Sequence, residues 1–352
     1  MGEESDFEEA QRRIAEWRPG ETLEFTGLTA LARLPPAISE LTELRSLIIN
    51  DWKASGVFHT PLSDLSPLRS LTSLQELDCG GTLVTDLTPL SNMTSLKKLS
   101  CSSTSVGNIS PLRDLKALQI LDCSNSSVCD LSPLQNITSL HTLDCSFSLV
   151  RDLSPLHTLK ALQELYCSET SVSDLEPLKN SQSLKILSFI QSQVCDLTPL
   201  SNINSLEVLN CSDTGVEDLS PLLKLVGLRE LNLYDTSVDD LSPLCNLTAL
   251  KRLDCLGTSI RDLSPLRNLT SLKWFSCSNT PVIDLSPLTA LNNLEVLECR
   301  GCSLNTVPAD LIFSGNLHSL LLSSGTIVGI PREVLEGGNC LESLRDYYRN
   351  RL

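Results

Sequence analysis

The sequence predicts an α/β solenoid: a right-handed coil with a parallel β-sheet on its concave face, short 3-10 or helical turns on its convex face, and a helical cap at each end. Three observations carry that expectation. Eleven prolines, from Pro67 to Pro287, recur every 22 residues without a slip. Each sits in a version of Asp-Leu-Ser-Pro-Leu and is followed by an apolar Leu-x-x-Leu-x-Cys run. Leucine fills about a fifth of the 352 positions, while aromatic side chains make up only 4%. The core is therefore aliphatic and columnar. Units with such a period cannot bury an apolar face alone and must stack.

The elements follow in chain order. Ser5-x-x-Glu8 reads as a capping box, and Phe7, Ala10, Ile14 and Trp17 then share one helical face, so residues 5–18 form a helix that Pro19-Gly20 stops. Residues 1–20 are the N-terminal cap, residues 21–332 a solenoid of about 14 coils, and residues 333–352 the C-terminal cap. Two looser coils, with strands centred near Phe25 and Ile49, precede the regular array, and one near Leu322 follows it. Ile49 and Cys79 are separated by eight residues more than one period, which places an insertion near 51–61 holding Trp52 and Phe58. Insertions in a solenoid map to loops and are often functional.

One unit, LTSLQELDCGGTLVTDLTPLSN from Leu71, shows the local logic. Leu77 and Cys79 point one way and Asp78 the other, the period of a strand with one buried face. Thr82 heads a column of Thr and Ser whose hydroxyls can bond the backbone of the turn, and Val84 heads an inward Val column. Asp86 belongs to an acidic column, three residues before Pro, that can cap the helical turn. Pro89 suits the start of that turn because its φ is fixed and its missing N–H is not needed. Near the C-terminus, Pro331 opens a short turn closed by Gly337-Gly338. Asn339-x-x-Glu342 then starts a second helix with Leu341, Leu344 and Tyr348 on one side.

The pattern Leu-x-x-Leu-x-Cys/Leu-x-x-Thr-x-Val-x-Asp-Leu-Ser-Pro-Leu resembles a leucine-rich repeat. Its 22-residue length and Asp-[Leu/Ile]-[Ser/Thr]-Pro-Leu segment resemble the internalin type of bacterial repeat. Thr or Ser stands where that family usually has Asn, and Cys where it usually has Leu. The resemblance implies the solenoid fold and a protein-binding role, and it covers about Glu21 to Arg332. The segments IPREVL from Ile330 and RRIAEWRPGETLEFTGL from Arg12 also resemble the ends of the repeat domain of bacterial Roco proteins. That resemblance implies an alternative role as the regulatory module of a larger GTPase.

Composition excludes other classes. With 27 basic and 43 acidic side chains the net charge is −16, which argues against a nucleic-acid partner. No apolar run approaches the roughly 18 residues needed to span a bilayer, and the acidic start MGEESDFEEA lacks a signal peptide's basic and apolar regions. The expectation is a cytoplasmic protein that does not engage membranes, or an effector delivered to a host by a signal-less secretion system. Nine of 14 Cys share one inward column, from Cys79 to Cys299, and are expected to be reduced core thiols. Cys299-x-x-Cys302 resembles half a metal site, but both positions are repeat columns, so no metal is expected. The four His, His59, His141, His157 and His318, are scattered, and no nucleophile–base order or phosphate loop appears. The chain is expected to be no enzyme and to need no cofactor.

Function then falls to the outward positions that flank the buried Leu and Cys of each strand. Large apolar side chains gather there from the middle of the chain onward: Tyr166, Ile186, Ile190, Val208, Tyr234, Leu256 and Trp274. Acids including Asp122, Asp144 and Asp254 run beside them in a column with no base. Aromatic and branched residues amid polar ones have the composition of a binding hot spot. The expected partner is a protein with a basic rim and an apolar centre. Ten of the 43 acids belong to the Asp-Leu-Ser-Pro-Leu column, and without them 33 acids face 27 bases. Much of the acidity therefore follows from building coils.

Overall fold

In a computed structural model, residues 2–49, 60–323, 327, 330–335 and 338–351 are described. Trp52 and Phe58 of the expected insertion, and Gly337 of the expected turn closure, lie outside the described residues. The chain divides into two compact units, Met1–Val172 and Ser173–Leu352.

The first unit holds helix α1 (Gly2–Glu16) and strands β1 (Leu23–Glu24), β2 (Ser46–Ile48), β3 (Glu76–Asp78), β4 (Lys98–Ser100), β5 (Ile120–Asp122), β6 (Thr142–Asp144) and β7 (Glu164–Tyr166). Each strand pairs parallel with its sequence neighbour, with Leu77, Leu99, Leu121, Leu143 and Leu165 in register. The first two strands end just before Phe25 and Ile49 rather than centring on them. Those two residues occupy the buried column that Cys79 continues, and each donates its N–H to the next coil's backbone. Helix α1 begins at Gly2, which places Ser5 within its first turn rather than at its cap. Ala10 and Ile14 are buried, and the Asp6 carboxylate accepts the Ala30 N–H at 2.8 Å. Arg13 donates to the Glu24 and Thr26 carbonyls, tying the helix to the first coil.

The second unit holds β8 (Ile186–Ser188), β9 (Val208–Asn210), β10 (Glu230–Asn232), β11 (Arg252–Asp254), β12 (Trp274–Ser276), β13 (Val296–Cys299) and β14 (Ser319–Leu322), again parallel and in register between sequence neighbours. Short helices α2 (Ala309–Ile312) and α3 (Arg332–Leu335) and the terminal α4 (Leu341–Arg349) complete it. The unpaired side of β14 would invite edge-to-edge association. Asn339 occupies it: its side chain accepts the Leu320 N–H and donates to the His318 carbonyl, as a further strand's backbone would. The same Asn339 oxygen accepts the Leu341 N–H at the start of α4, whose Leu341 and Leu344 are buried.

Within the coils the repeated polar columns close the turns. At each of the eleven Asp-Leu-Ser-Pro-Leu sites, Asp, or Asn108 in one coil, accepts the backbone N–H two residues on at 2.7–2.9 Å. Pro then fills the second place of a 3-10 turn, where no N–H donor is required. In nine coils, from Thr82 to Thr280, the Thr or Ser hydroxyl donates to the carbonyl three residues earlier at 2.5–2.7 Å. These bonds satisfy carbonyls at the end of each strand, where no ladder partner follows.

Candidate functional site

The strand columns fix which side chains face outward. In the second unit one row runs in register through Ile186, Val208, Glu230, Arg252, Trp274 and Val296. The next runs through Ser188, Asn210, Asn232, Asp254, Ser276 and Glu298. Ile190, Tyr234 and Leu256 stand two residues beyond the second row. All six apolar residues expected in this unit, Ile186, Ile190, Val208, Tyr234, Leu256 and Trp274, are half-buried. They are neither core nor fully exposed. The Arg252 guanidinium lies 3.5 Å from the centroid of the Trp274 ring, so one face of the indole is covered by a cation. Such a contact is worth about 0.5–1 kcal/mol at an exposed site and holds the ring in place.

In the first unit the corresponding rows carry Tyr166, Asp122 and Asp144, all half-buried. The Tyr166 hydroxyl donates to Glu164 at 3.4 Å. The acids of this row have a local duty that the sequence reading did not assign. Asp122 accepts the Ser124 N–H at 3.1 Å and its hydroxyl at 2.6 Å, and Asp144 accepts the Ser146 N–H at 2.9 Å. Asn210, Asn232 and Asp254 do the same in the second unit. The row is thus a second series of Asx turns that bends the chain away from each strand. Burial raises the Asp254 carboxyl above its ordinary value, against the Leu256 N–H and Arg252, which lower it.

These bends lead into a residue with positive φ in coil after coil. Ser103, Asn125, Phe147, Glu169, Gln191, Asp213, Asp235 and Asn279 lie at φ 49–55°, and Gly81, Gly257 and Gly301 take the same place. Phe147 stands out because it is 55% exposed there, beside Leu149 at 60%. Sequence reasoning missed this pair. The available signal was a phenylalanine in a column of Gly, Asn, Asp and other polar residues.

Among the described residues no group of three or more His, Cys, Asp or Glu is placed to hold a metal ion, and no helix is long and apolar enough to cross a membrane. A cavity of about 490 Å³ in the first unit is lined by Pro19, Gly20, Glu43, Arg45, Ser73, Gln75 and Ser95. Along the Cys column, burial drives the thiols upward, Cys101, Cys167 and Cys211 to about 12, which keeps them protonated and unreactive at neutral pH.

The family model for leucine-rich repeats (two copies) matches residues 94–136, 138–180, 204–246 and 226–268. No curated protein matches the chain by sequence. Among solved structures, an internalin, InlF from Listeria monocytogenes, is 27% identical with a TM-score of 0.80, over 90% of this chain and 94% of its own. The leucine-rich-repeat protein LIC12759 of Leptospira interrogans is similar in fold, at 20% identity and a TM-score of 0.67, over 90% of this chain and 92% of its own. So is a plant peptide hormone receptor, RGFR1, solved in complex with RGF2. It is 17% identical with a TM-score of 0.63, over 82% of this chain and 53% of its own.

Proposed function

We propose that the chain, whose coils match leucine-rich repeats and are similar to those of an internalin, is a non-catalytic interaction protein. In this reading the outward strand face of its second unit, centred on Trp274 and Tyr234, binds a protein partner. The observation that carries the reading is the Trp274–Arg252 pair. A large ring is held half-buried by a cation on one face, within a register row that also presents Ile186, Val208 and Val296. A pre-positioned aromatic anchor loses little conformational freedom on binding and is the usual centre of an interface hot spot. Tyr234 and Leu256 add apolar area beside it. Asp254, Glu230 and Glu298 favour basic groups at the partner's rim. The plant receptor of similar fold, solved with RGF2, supports a polypeptide ligand by analogy.

The test is a titration of wild-type protein and the Tyr234→Ala/Trp274→Ala variant with a partner isolated from the source cell. Loss of about 2 kcal/mol or more, roughly 30-fold in Kd, with unchanged circular dichroism supports the reading. Equal affinities would move the site elsewhere.

A further inference from the structure

The Thr/Ser column changes chemistry at one point. Thr280 is followed 22 residues later by Cys302, so a thiol occupies the place where the preceding coils hold a hydroxyl. Cys302 does not repeat the hydroxyl's bond within its own coil. Its Sγ donates instead to the Cys277 carbonyl at 2.9 Å, the same oxygen that accepts the Thr280 hydroxyl, and lies 3.6 Å from that hydroxyl. The Cys277 Sγ in turn lies 3.3 Å from the Cys299 Sγ. Cys302 and Cys299 end a four-residue turn, with the Cys302 N–H directed to the Cys299 carbonyl at 3.5 Å. The substitution therefore gathers the thiols of Cys277, Cys299 and Cys302, none of them in a disulfide, in one corner of the second unit.

The three differ in access and in proton affinity. Cys277 and Cys299 are buried, whereas Cys302 is half-exposed. Hydrogen bonds from the Cys277 thiol first, then from Cys299, with a smaller one from Thr280, pull the Cys302 thiol well below the ordinary range. Its contact with Cys299 pushes the Cys277 thiol up, and burial does the same to Cys299. Of the three, only Cys302 is not buried, so an oxidant arriving from solvent meets it first, with two further thiols gathered behind it.

We propose that Cys302 is a hydroperoxide-reactive thiol and that Cys299 resolves its oxidised form as an intramolecular disulfide. The Cys302 thiolate attacks one oxygen of hydrogen peroxide, the O–O bond breaks, and hydroxide leaves. The sulfur, oxidised by two electrons, becomes a sulfenic acid. The Cys299 sulfur then attacks the Cys302 sulfur. The S–S bond forms, the S–O bond breaks, and the departing hydroxyl takes the Cys299 proton as water. A four-residue turn brings its ends within about 7 Å, close to the separation a disulfide bridges.

The test uses the full chain, reduced, freed of reductant and treated with graded hydrogen peroxide, followed by thiol counting in denaturant and peptide mapping. The first event expected is loss of two thiols through a Cys299–Cys302 disulfide, at least tenfold faster than oxidation of Cys129 or Cys195. Those two are the exposed cysteines and serve as internal controls. Cys302→Thr restores the hydroxyl of its column and so keeps the fold; it should leave Cys299 reduced at the same dose. Cys299→Ser should leave a Cys302 sulfenic acid that dimedone traps. Oxidation of Cys129 or Cys195 ahead of Cys302, or a Cys302 that stays reduced, would overturn the proposal.

Discussion

Replacing Thr214 by Val separates two explanations of the Thr/Ser column by the sign of the effect. Thr214 is 8% exposed, and its hydroxyl donates to the Cys211 carbonyl at 2.6 Å. Val has nearly the same shape and the same β-branching, so the change removes the hydroxyl and little else. If the column needs only a small branched group, the added methyl should stabilise by about 0.8 kcal/mol through apolar burial. If the hydroxyl closes the turn, the buried carbonyl loses its donor, a loss of about 1–3 kcal/mol. The balance is a net destabilisation of about 1–2 kcal/mol. Urea unfolding followed by tryptophan fluorescence and circular dichroism reads it as a fall in the midpoint of roughly 0.5 M, for a slope of about 2–3 kcal/mol/M that itself does not change. A midpoint that stays or rises would refute the hydrogen-bond reading of the whole column.

Four further outcomes follow from the same geometry. Asp218→Ala removes the acceptor of the Ser220 N–H and should cost about 1 kcal/mol, whereas Asp218→Asn should nearly restore stability, as Asn108 does in its own coil. The carboxyls of Asp64, Asp86, Asp152, Asp196, Asp218, Asp262 and Asp284 are held below the ordinary value, first by the Ser or Thr hydroxyl two residues on and then by its N–H. A depressed folded-state pKa contributes stability above the unfolded value near 3.9 that is lost as pH falls through the folded one. Thermal midpoints should therefore be insensitive to these groups from pH 5 to 7 and drop steeply below about pH 4. Glu169→Gly should stabilise by roughly 0.5–1 kcal/mol in urea unfolding, because an exposed side chain at φ 52° strains the backbone by more than glycine adds to the unfolded chain's entropy. Arg252→Ala should free the Trp274 ring and shift its fluorescence, while an unshifted spectrum would show that the cation does not hold it.

The columns were legible because stacking forces one residue type into one environment eleven times over. Pro89, Asp86 and Thr82 each announced a turn, and the hydrogen bonds fall where those residue types require them. The end of the array was legible at Asn339 for the same reason, since an Asn before an amphipathic run is a helix start. Its second duty, closing the open side of β14, depends on a tertiary approach that no local pattern encodes. Ser5 misled because the capping box is a short-range signal, and the helix gains a further turn that places Asp6 against Ala30. The positive-φ column escaped notice because Ser, Asn, Phe, Glu, Gln, Asp and Gly all occupy it. There the coil geometry imposes the conformation and residue preference does not. The turn-closing duty of the outward acids was hidden likewise, because the bonds of Asp122 and Asp144 to the N–H groups of Ser124 and Ser146 depend on how the chain bends after each strand.

Site-specific photo-crosslinking in extracts of the source cell tests the binding face most directly, with Leu256→p-benzoylphenylalanine beside Trp274 and, as a control, the same replacement at Val226. Val226 is 60% exposed in the segment between a 3-10 turn and the next strand. A discrete protein adduct at position 256, weakened by Trp274→Ala and missing at position 226, is the expected result. An adduct at position 226 with none at 256 would contradict the assignment of the outward strand face as the binding surface.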